Sequence, residues 1–168
     1  MRLFLHKLLG KKAVKTTLLY SGHLHGWLPK NFHNRCDNKG ATLNLFQIKD
    51  GDCVGGYTTQ HWESSESEKY KADSSAFLFN LTCSLHFPSK ASGKDILCHR
   101  SSGPEFSGGG ATELGVRGEP FNDSYKCYSW VNEPGYKIPQ VNGKNQLTKK
   151  NYGWFTISEL EVWAVEEE

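Results

Sequence analysis

The sequence predicts a mainly β chain (α+β), with two packed antiparallel sheets forming a β-sandwich and a few short helices at the margins. Three observations carry this expectation. Short apolar or alternating runs recur at Thr17–Tyr20, Thr42–Ile48, Ser75–Thr82 and Trp154–Val165, the period-2 signature of strands buried on one or both faces. Turn residues punctuate them, as in Lys49-Asp50-Gly51-Asp52, a hairpin signal. Helical periodicity is confined to two short stretches, so sheets must supply most of the core.

Taken in order, residues 1–16 form a basic segment in which Leu3, Leu5, Leu8 and Leu9 make a short helical stripe ended by Gly10. His6 and Lys7 interrupt the apolar run and no small-residue cleavage site follows. The segment therefore reads as a docking helix rather than a secretory signal, and is favoured over a mitochondrial presequence. Residues 17–168 form the sandwich domain. Thr17–Tyr20 is its first strand, and Pro29–Cys36 is the best internal helix, with Pro29 at its start and Phe32 and Cys36 on one side. Thr42–Ile48 and Cys53–Tyr57 make a hairpin, Ser75–Thr82 is a buried strand, and Ile96–Cys98 is a shorter one. Residues 103–130 read as a long irregular region with one strand at Glu113–Val116. In the closing strand the apolar phase changes at Ser158–Glu159, which predicts a bulge.

The 168 residues contain 37% hydrophobic residues, and counting the 17 glycines brings the apolar share to the usual globular level of roughly 47%. That composition excludes a disordered chain, and no apolar run is long enough for a membrane-spanning helix. Charge is polarised along the chain. Residues 1–36 hold seven basic residues and no acid, whereas Glu159, Glu161, Glu166, Glu167 and Glu168 close the chain without a base. Either the two ends lie together and neutralise, or the basic arm carrying Lys7, Lys11 and Lys12 grips an acidic partner. Nucleic acid does not suit that role, because the basic residues are not interleaved with stacking aromatics.

The search for chemistry excludes more than it finds. Ser107 lacks the glycine that a G-x-S-x-G elbow needs, and Gly108-Gly109-Gly110 is not followed by a phosphate-loop lysine. His33-x-x-Cys36 and Cys83-x-x-His86 could supply zinc ligands, but no paired C-x-x-C exists, and the five cysteines are expected to be reduced, mostly buried thiols. Sequons at Asn80 and Asn122 are discounted for the same compartment reason. No metal or cofactor and no catalytic residue is expected. Trp62, Trp154 and Trp163 read as core, while Trp27 and Trp130 are candidates for the surface.

Several blocks at regular intervals resemble the TLDc domain, the module of oxidation resistance proteins and nuclear receptor coactivator relatives. From Leu18 to about Val165 they run Leu18-Leu19-Tyr20-Ser21-Gly22 with Gly26-Trp27; Phe32-His33, Cys36-Asp37-Asn38-Lys39-Gly40 and Thr42-Leu43; Gly55-Gly56-Tyr57 with Trp62; Ala76-Phe77-Leu78-Phe79; Gly103-Pro104 and Phe106 to Gly110, including Gly108; and Phe155-Thr156-Ile157 with Glu159-Leu160-Glu161-Val162. Ser107 and Glu113 depart from the family pattern, and residues 118–150 follow it loosely. Most of these residues read as fold-determining. Asn38 and Gly40 suit a turn with positive φ, and Gly55-Gly56 a close backbone approach or a bulge.

The resemblance implies a β-sandwich without a catalytic centre, a part in oxidative-stress protection, and binding to the vacuolar proton pump, the V-ATPase, at its peripheral stalk and catalytic head. The protein would then be cytoplasmic, at the cytosolic face of an organelle membrane through its partner. The alternatives are a structural adaptor in another large assembly, cytoskeletal or ciliary, and a hydrolase-like or sugar-binding sandwich. Trp27, Arg35, Arg117 and Trp130, with Lys7, Lys11 and Lys12, are the expected partner contacts.

Overall fold

In the computed structural model, which describes residues 7, 9, 14–49, 51–109, 111–122, 127–129, 135–149 and 153–167, the alternation at 42–48 becomes a strand buried on both faces. The strands are β1 (Val14–Ser21), β2 (Thr42–Ile48), β3 (Cys53–Thr58), β4 (Lys69–Lys71), β5 (Phe77–Asn80), β6 (Leu85–Pro88), β7 (Ile96–Cys98), β8 (Ser102–Ser107), β9 (Thr112–Arg117), β10 (Cys127–Tyr128), β11 (Gln140–Val141), β12 (Lys144–Asn145), β13 (Trp154–Phe155) and β14 (Ile157–Glu167). Two helices, α1 (Gly22–His25) and α2 (Pro29–Cys36), follow β1. The strands form two antiparallel six-stranded sheets, the first ordered β1-β14-β2-β3-β5-β6 and the second β13-β10-β9-β8-β7-β4, with β11-β12 as a small separate hairpin. This is the expected mainly β sandwich.

The core lies between the sheets. Period-2 alternation sends Phe46, Ile48, Val54 and Leu78 of the first sheet inward against Ile96, Phe106, Leu114 and Val116 of the second. Each such side chain stabilises the fold by about 1.5–3 kcal/mol relative to exposure. A Cβ on Gly56 would sit 2.4 Å from the Phe106 ring, so glycine at that position lets the sheets approach. Trp62 packs edge-on against Phe106 at 5.8 Å and donates from Nε1 to Thr42 Oγ1 at 2.9 Å. Helix α2 buries Pro29, Phe32, His33 and Cys36 on one face, the i, i+3, i+4, i+7 stripe of an amphipathic helix.

The ends of the chain meet. β1 pairs with β14 from Val14↔Glu167 to Ser21↔Glu161, and Lys15 Nζ lies 3.3 Å from Glu166 Oε2. One basic residue from the N-terminal stretch thus faces one acid of the C-terminal stretch across this strand pair. Val14, Lys15 and Thr16, grouped by sequence with the N-terminal segment, are already in β1.

Two further expectations are corrected. Residues 103–130 are not mostly irregular: β8 is buried along its whole length and pairs with β9, which pairs with β10. Gly103-Pro104 masked β8 because proline has no N–H for the ladder. The sheet accommodates it by a register shift between Ser102 and Glu105. Trp154 is not core but 48% exposed, on the edge strand β13. Helix α1, a single turn with Ser21 as N-cap, is too short for periodicity to reveal. The phase change at Ser158–Glu159 is the bulge between Ile157↔Ile48 and Glu159↔Gln47. Asn80 is buried and donates to Asp52 Oδ2 and to the Leu147 carbonyl, so that sequon is shielded inside the fold.

Candidate functional site, a groove on the outer face of the first sheet

The same alternation that fills the core points Leu43 and Leu45 of β2, Tyr57 of β3, Phe77 and Phe79 of β5 and Val165 of β14 to the opposite face of the first sheet. There they form a second apolar cluster. A Cβ on Gly55 would lie 2.5 Å from Phe79, so the paired glycines serve both faces, Gly56 inward and Gly55 outward. Leu9, in a helical conformation, packs against this cluster, as do Cys53 and Trp163.

Beside the cluster runs a groove of about 240 Å³ lined by Leu45, Gln47, Cys53, Glu159 and Glu161. Register explains the set: Glu159 lies opposite Gln47, Glu161 opposite Leu45, and Gln47 opposite Cys53. The two carboxylates have different tasks. Glu159 accepts from Ser21 Oγ at 3.1 Å, from the His23 and Leu160 backbone N–H groups, and pairs with His23 Nδ1 at 2.9 Å. It thereby holds the N-terminus of α1, where a negative charge is favoured. Glu161 accepts from Trp163 Nε1 at 2.9 Å and otherwise faces the groove. Burial raises the Cys53 thiol pKa, and the Glu161 and Asp52 carboxylates raise it further, so the thiolate is suppressed there. The groove thus offers an apolar floor and a negative wall, which suits recognition of an apolar side chain with a cationic neighbour.

The other residues singled out by sequence are spread over the fold. Arg117 is half-buried, donating to Glu68 at 2.8 Å and to the fully buried Glu105 at 3.2 Å. Burial opposes its charge, but the two carboxylates more than compensate and raise its pKa. Tyr128 and Thr112 also donate to Glu105, so Arg117 closes a polar network within the second sheet. Trp27 is half-buried, its ring filling the space a Cβ on Gly22 would need. Arg35 is exposed on α2, and Lys7 is exposed in a helical turn. Lys11, Lys12, Trp130 and Gly110 lie outside the described residues.

The motif at the end of α2 is a lock between elements. Asp37 caps the helix, pairs with His33 Nδ1 at 2.7 Å and accepts from Ser64 Oγ at 2.7 Å, while the Asn38 N–H donates to the Trp62 carbonyl. Asn38 and Gly40 have φ of 59° and 74°, as the turn reading requires, and Lys39 is exposed. Gly103 lets Val116 and Phe121 close over β8, and Gly108 lies in backbone contact range of Gly135. Burial drives the Cys36 thiol pKa far above its ordinary value and Asp37 adds to this, outweighing Arg35 and Lys39. Burial likewise pushes Cys98 up to about 11 and Cys127 to about 12. Cys83 alone is exposed. Among the described residues no three of His, Cys, Asp and Glu gather in a metal-holding group.

Leu45, Gln47 and Cys53 are the groove residues that sequence reasoning did not single out. The signal was present in β2, where Leu43 and Leu45 alternate with Phe46 and Ile48 after them, so that both faces of one strand carry apolar side chains.

Comparison with known proteins matches this frame. MTOR-associated protein MEAK7 of Gallus gallus is 27% identical over 167 residues, covering 90% of this chain and 31% of that protein. The chain therefore spans under a third of the length of that curated relative. The family profile of the TLDc domain matches residues 1–166, which takes in both sheets and both helices, and the chain belongs to the TLDc domain family.

Proposed function

We propose that this TLDc chain is a non-enzymatic regulatory domain that works by binding protein through the groove on the outer face of its first sheet. The observation that carries the reading is the adjacency of Leu45 and Glu161 across β2 and β14: an apolar anchor site beside a carboxylate that can take a charge-assisted hydrogen bond from lysine or arginine. The suppressed Cys53 thiolate argues against nucleophilic chemistry at the same place. The relative's association with MTOR, as its name states, supports a protein partner. The resemblance to oxidation resistance proteins supports the V-ATPase as that partner, with a role in oxidative-stress resistance at the cytosolic face of an organelle membrane.

The test is affinity capture with the full chain and with Leu45→Asp and Glu161→Lys variants, identifying bound proteins by mass spectrometry. The expected result is recovery of stalk and head subunits of the proton pump by the native sequence, with at least about a tenfold loss in either variant, the scale of removing one anchor contact. Recovery of a cytoskeletal or ciliary scaffold without the pump replaces the pump reading by the structural one. Pump capture undiminished in both variants removes the groove as the contact surface.

A further inference from the structure

Between Asp73 and Glu119 the sequence has three acids, Asp95, Glu105 and Glu113, and all are buried, at 0%, 0% and 1% exposure. Between Glu133 and Glu159 it has none. The exposed charge that these two stretches contribute is therefore cationic, and backbone pairing gathers part of it. The Lys90 N–H donates to the Gly135 carbonyl at 2.8 Å and the Lys137 N–H to the Pro88 carbonyl at 3.0 Å, on either side of the bridge Ser89↔Tyr136. Ser89 Oγ and the Tyr136 hydroxyl turn inward to Asp95, so alternation turns Lys90 and Lys137 outward, where both are exposed.

The β11-β12 hairpin follows directly. It stands apart from the two sheets and is exposed from Pro139 to Lys144. Its Asn142-Gly143 turn has φ of 53° and 72°, the positive values that a two-residue hairpin loop requires. Register sets Gln140 opposite Asn145 and Val141 opposite Lys144. Asn145 is buried and accepts from the Thr148 N–H, and the Leu147 carbonyl accepts from Asn80, so that side roots the hairpin in the fold. The other side carries Val141, 52% exposed, beside Lys144. Among the described residues no carboxylate pairs with Lys90, Lys137 or Lys144. Lysine guards a free strand edge, but guarding gives no reason for an apolar side chain beside the turn.

We propose that this hairpin rests on an anionic lipid surface, with Val141 entering the headgroup layer and Lys144, Lys137 and Lys90 meeting its negative charge. Protein interfaces are anchored by aromatic side chains and arginine and are depleted in lysine. Here the cations are all lysine and the apolar tip is aliphatic, which is the composition of a contact with headgroups. Three lysines and one valine attach weakly and reversibly, so the hairpin orients a domain that a second contact holds.

The test is sedimentation of the full chain with vesicles of phosphatidylcholine alone and of equimolar phosphatidylcholine and phosphatidylserine. Binding is expected to the second only, and to weaken as added salt screens it. Each lysine at such a surface is worth about fivefold in partition, so Lys137→Gln combined with Lys144→Gln should lower it by about twentyfold. Val141→Trp, with its urea midpoint unchanged, should instead raise it several-fold, because tryptophan is favoured at the interface. Should the double variant lose the native urea midpoint, Lys90→Gln combined with Lys144→Gln replaces it with the same expected loss. Equal binding to both vesicles, binding to neither, phosphatidylserine binding undiminished in the lysine variant, or no gain from Val141→Trp overturns the proposal. Retention on immobilised polyglutamate, lost in the lysine variant and unaccompanied by vesicle binding, replaces the membrane by an acidic protein. No protein partner is present in this assay, so its outcome is independent of capture through Leu45 and Glu161.

Discussion

At Gly56 the absence of one methyl group sets how closely the two sheets approach. An alanine Cβ would fall 2.4 to 2.7 Å from three atoms of the Phe106 ring, and that ring is itself wedged between Trp62 and Tyr136 at 5.8 and 6.3 Å. The ring has no free space to yield, so Gly56→Ala should cost about 1–3 kcal/mol, the usual penalty of overpacking, read as a lower urea midpoint with an unchanged slope. Combined with Phe106→Leu, the loss should be clearly less than additive, because the smaller side chain makes room for the methyl. Additive losses would show that Phe106 is not the obstacle. A surface carboxylate gives a different kind of expectation. Glu63 bonds Lys69 and Lys71, and these, with Lys69 the larger influence, hold its carboxyl at about 2 against an ordinary 4.5. Because the folded value is the lower one, the contribution is present above pH 4.5 and is lost as pH falls towards 2. Lys69 is exposed, so screening limits the effect at pH 7 to about 1 kcal/mol or less. Glu63→Gln should flatten the stability profile between pH 4.5 and 2 relative to the native sequence, measured by denaturation at stepped pH. An unchanged profile would dismiss the pairing.

Among the elements, those that declare themselves in sequence are the ones whose local and tertiary preferences agree. Thr42–Ile48 alternates, and α2 begins with a proline and presents Phe32, His33 and Cys36 to the core; both were legible to the residue. β8 was not, because Gly103 and Pro104 are local strand breakers that the sheet tolerates only through the register shift beside them. The buried Glu105 in the same strand looks like a surface residue until Arg117, Tyr128 and Thr112 are brought to it from β9 and β10. Charge was legible as polarity between the ends of the chain, and the reading that the two ends lie together agrees with the β1–β14 pairing, though only the strand register sets Lys15 beside Glu166. The groove was half legible. Glu159 and Glu161 stood out by motif, yet the motif could not say that one carboxylate is consumed in holding α1 while its neighbour faces the groove. That division depends on the bulge at Ser158–Glu159 and on a four-residue helix without a periodic signature.

For the whole molecule, the strand order makes the two ends of the chain interdependent. β14 lies between β1 and β2 in the first sheet, so a strand more than 100 residues after β2 fills an interior place, and it brings Ile157, Leu160 and Val162 into the core. β13 sits at the edge of the second sheet immediately before it, joined to β14 through Thr156, so this one terminal segment binds both layers. A chain ending at residue 153 would leave β1 without its partner and expose the edge of β2 along its whole length. Pairings as distant in sequence as Val14↔Glu167 must also be closed before the core is complete, which places folding in the slow range of about milliseconds to seconds. The truncated chain is therefore expected to lack a cooperative urea transition and to self-associate through the open edge, as read by circular dichroism and size-exclusion chromatography. The full chain should unfold in a single transition. A truncated chain that remains monomeric and unfolds cooperatively near the full-length midpoint would show that the first sheet can close without this interior strand. The outer-face groove, whose acidic wall is β14, would then be an appendage to a smaller folding unit rather than part of the one that the family match spans.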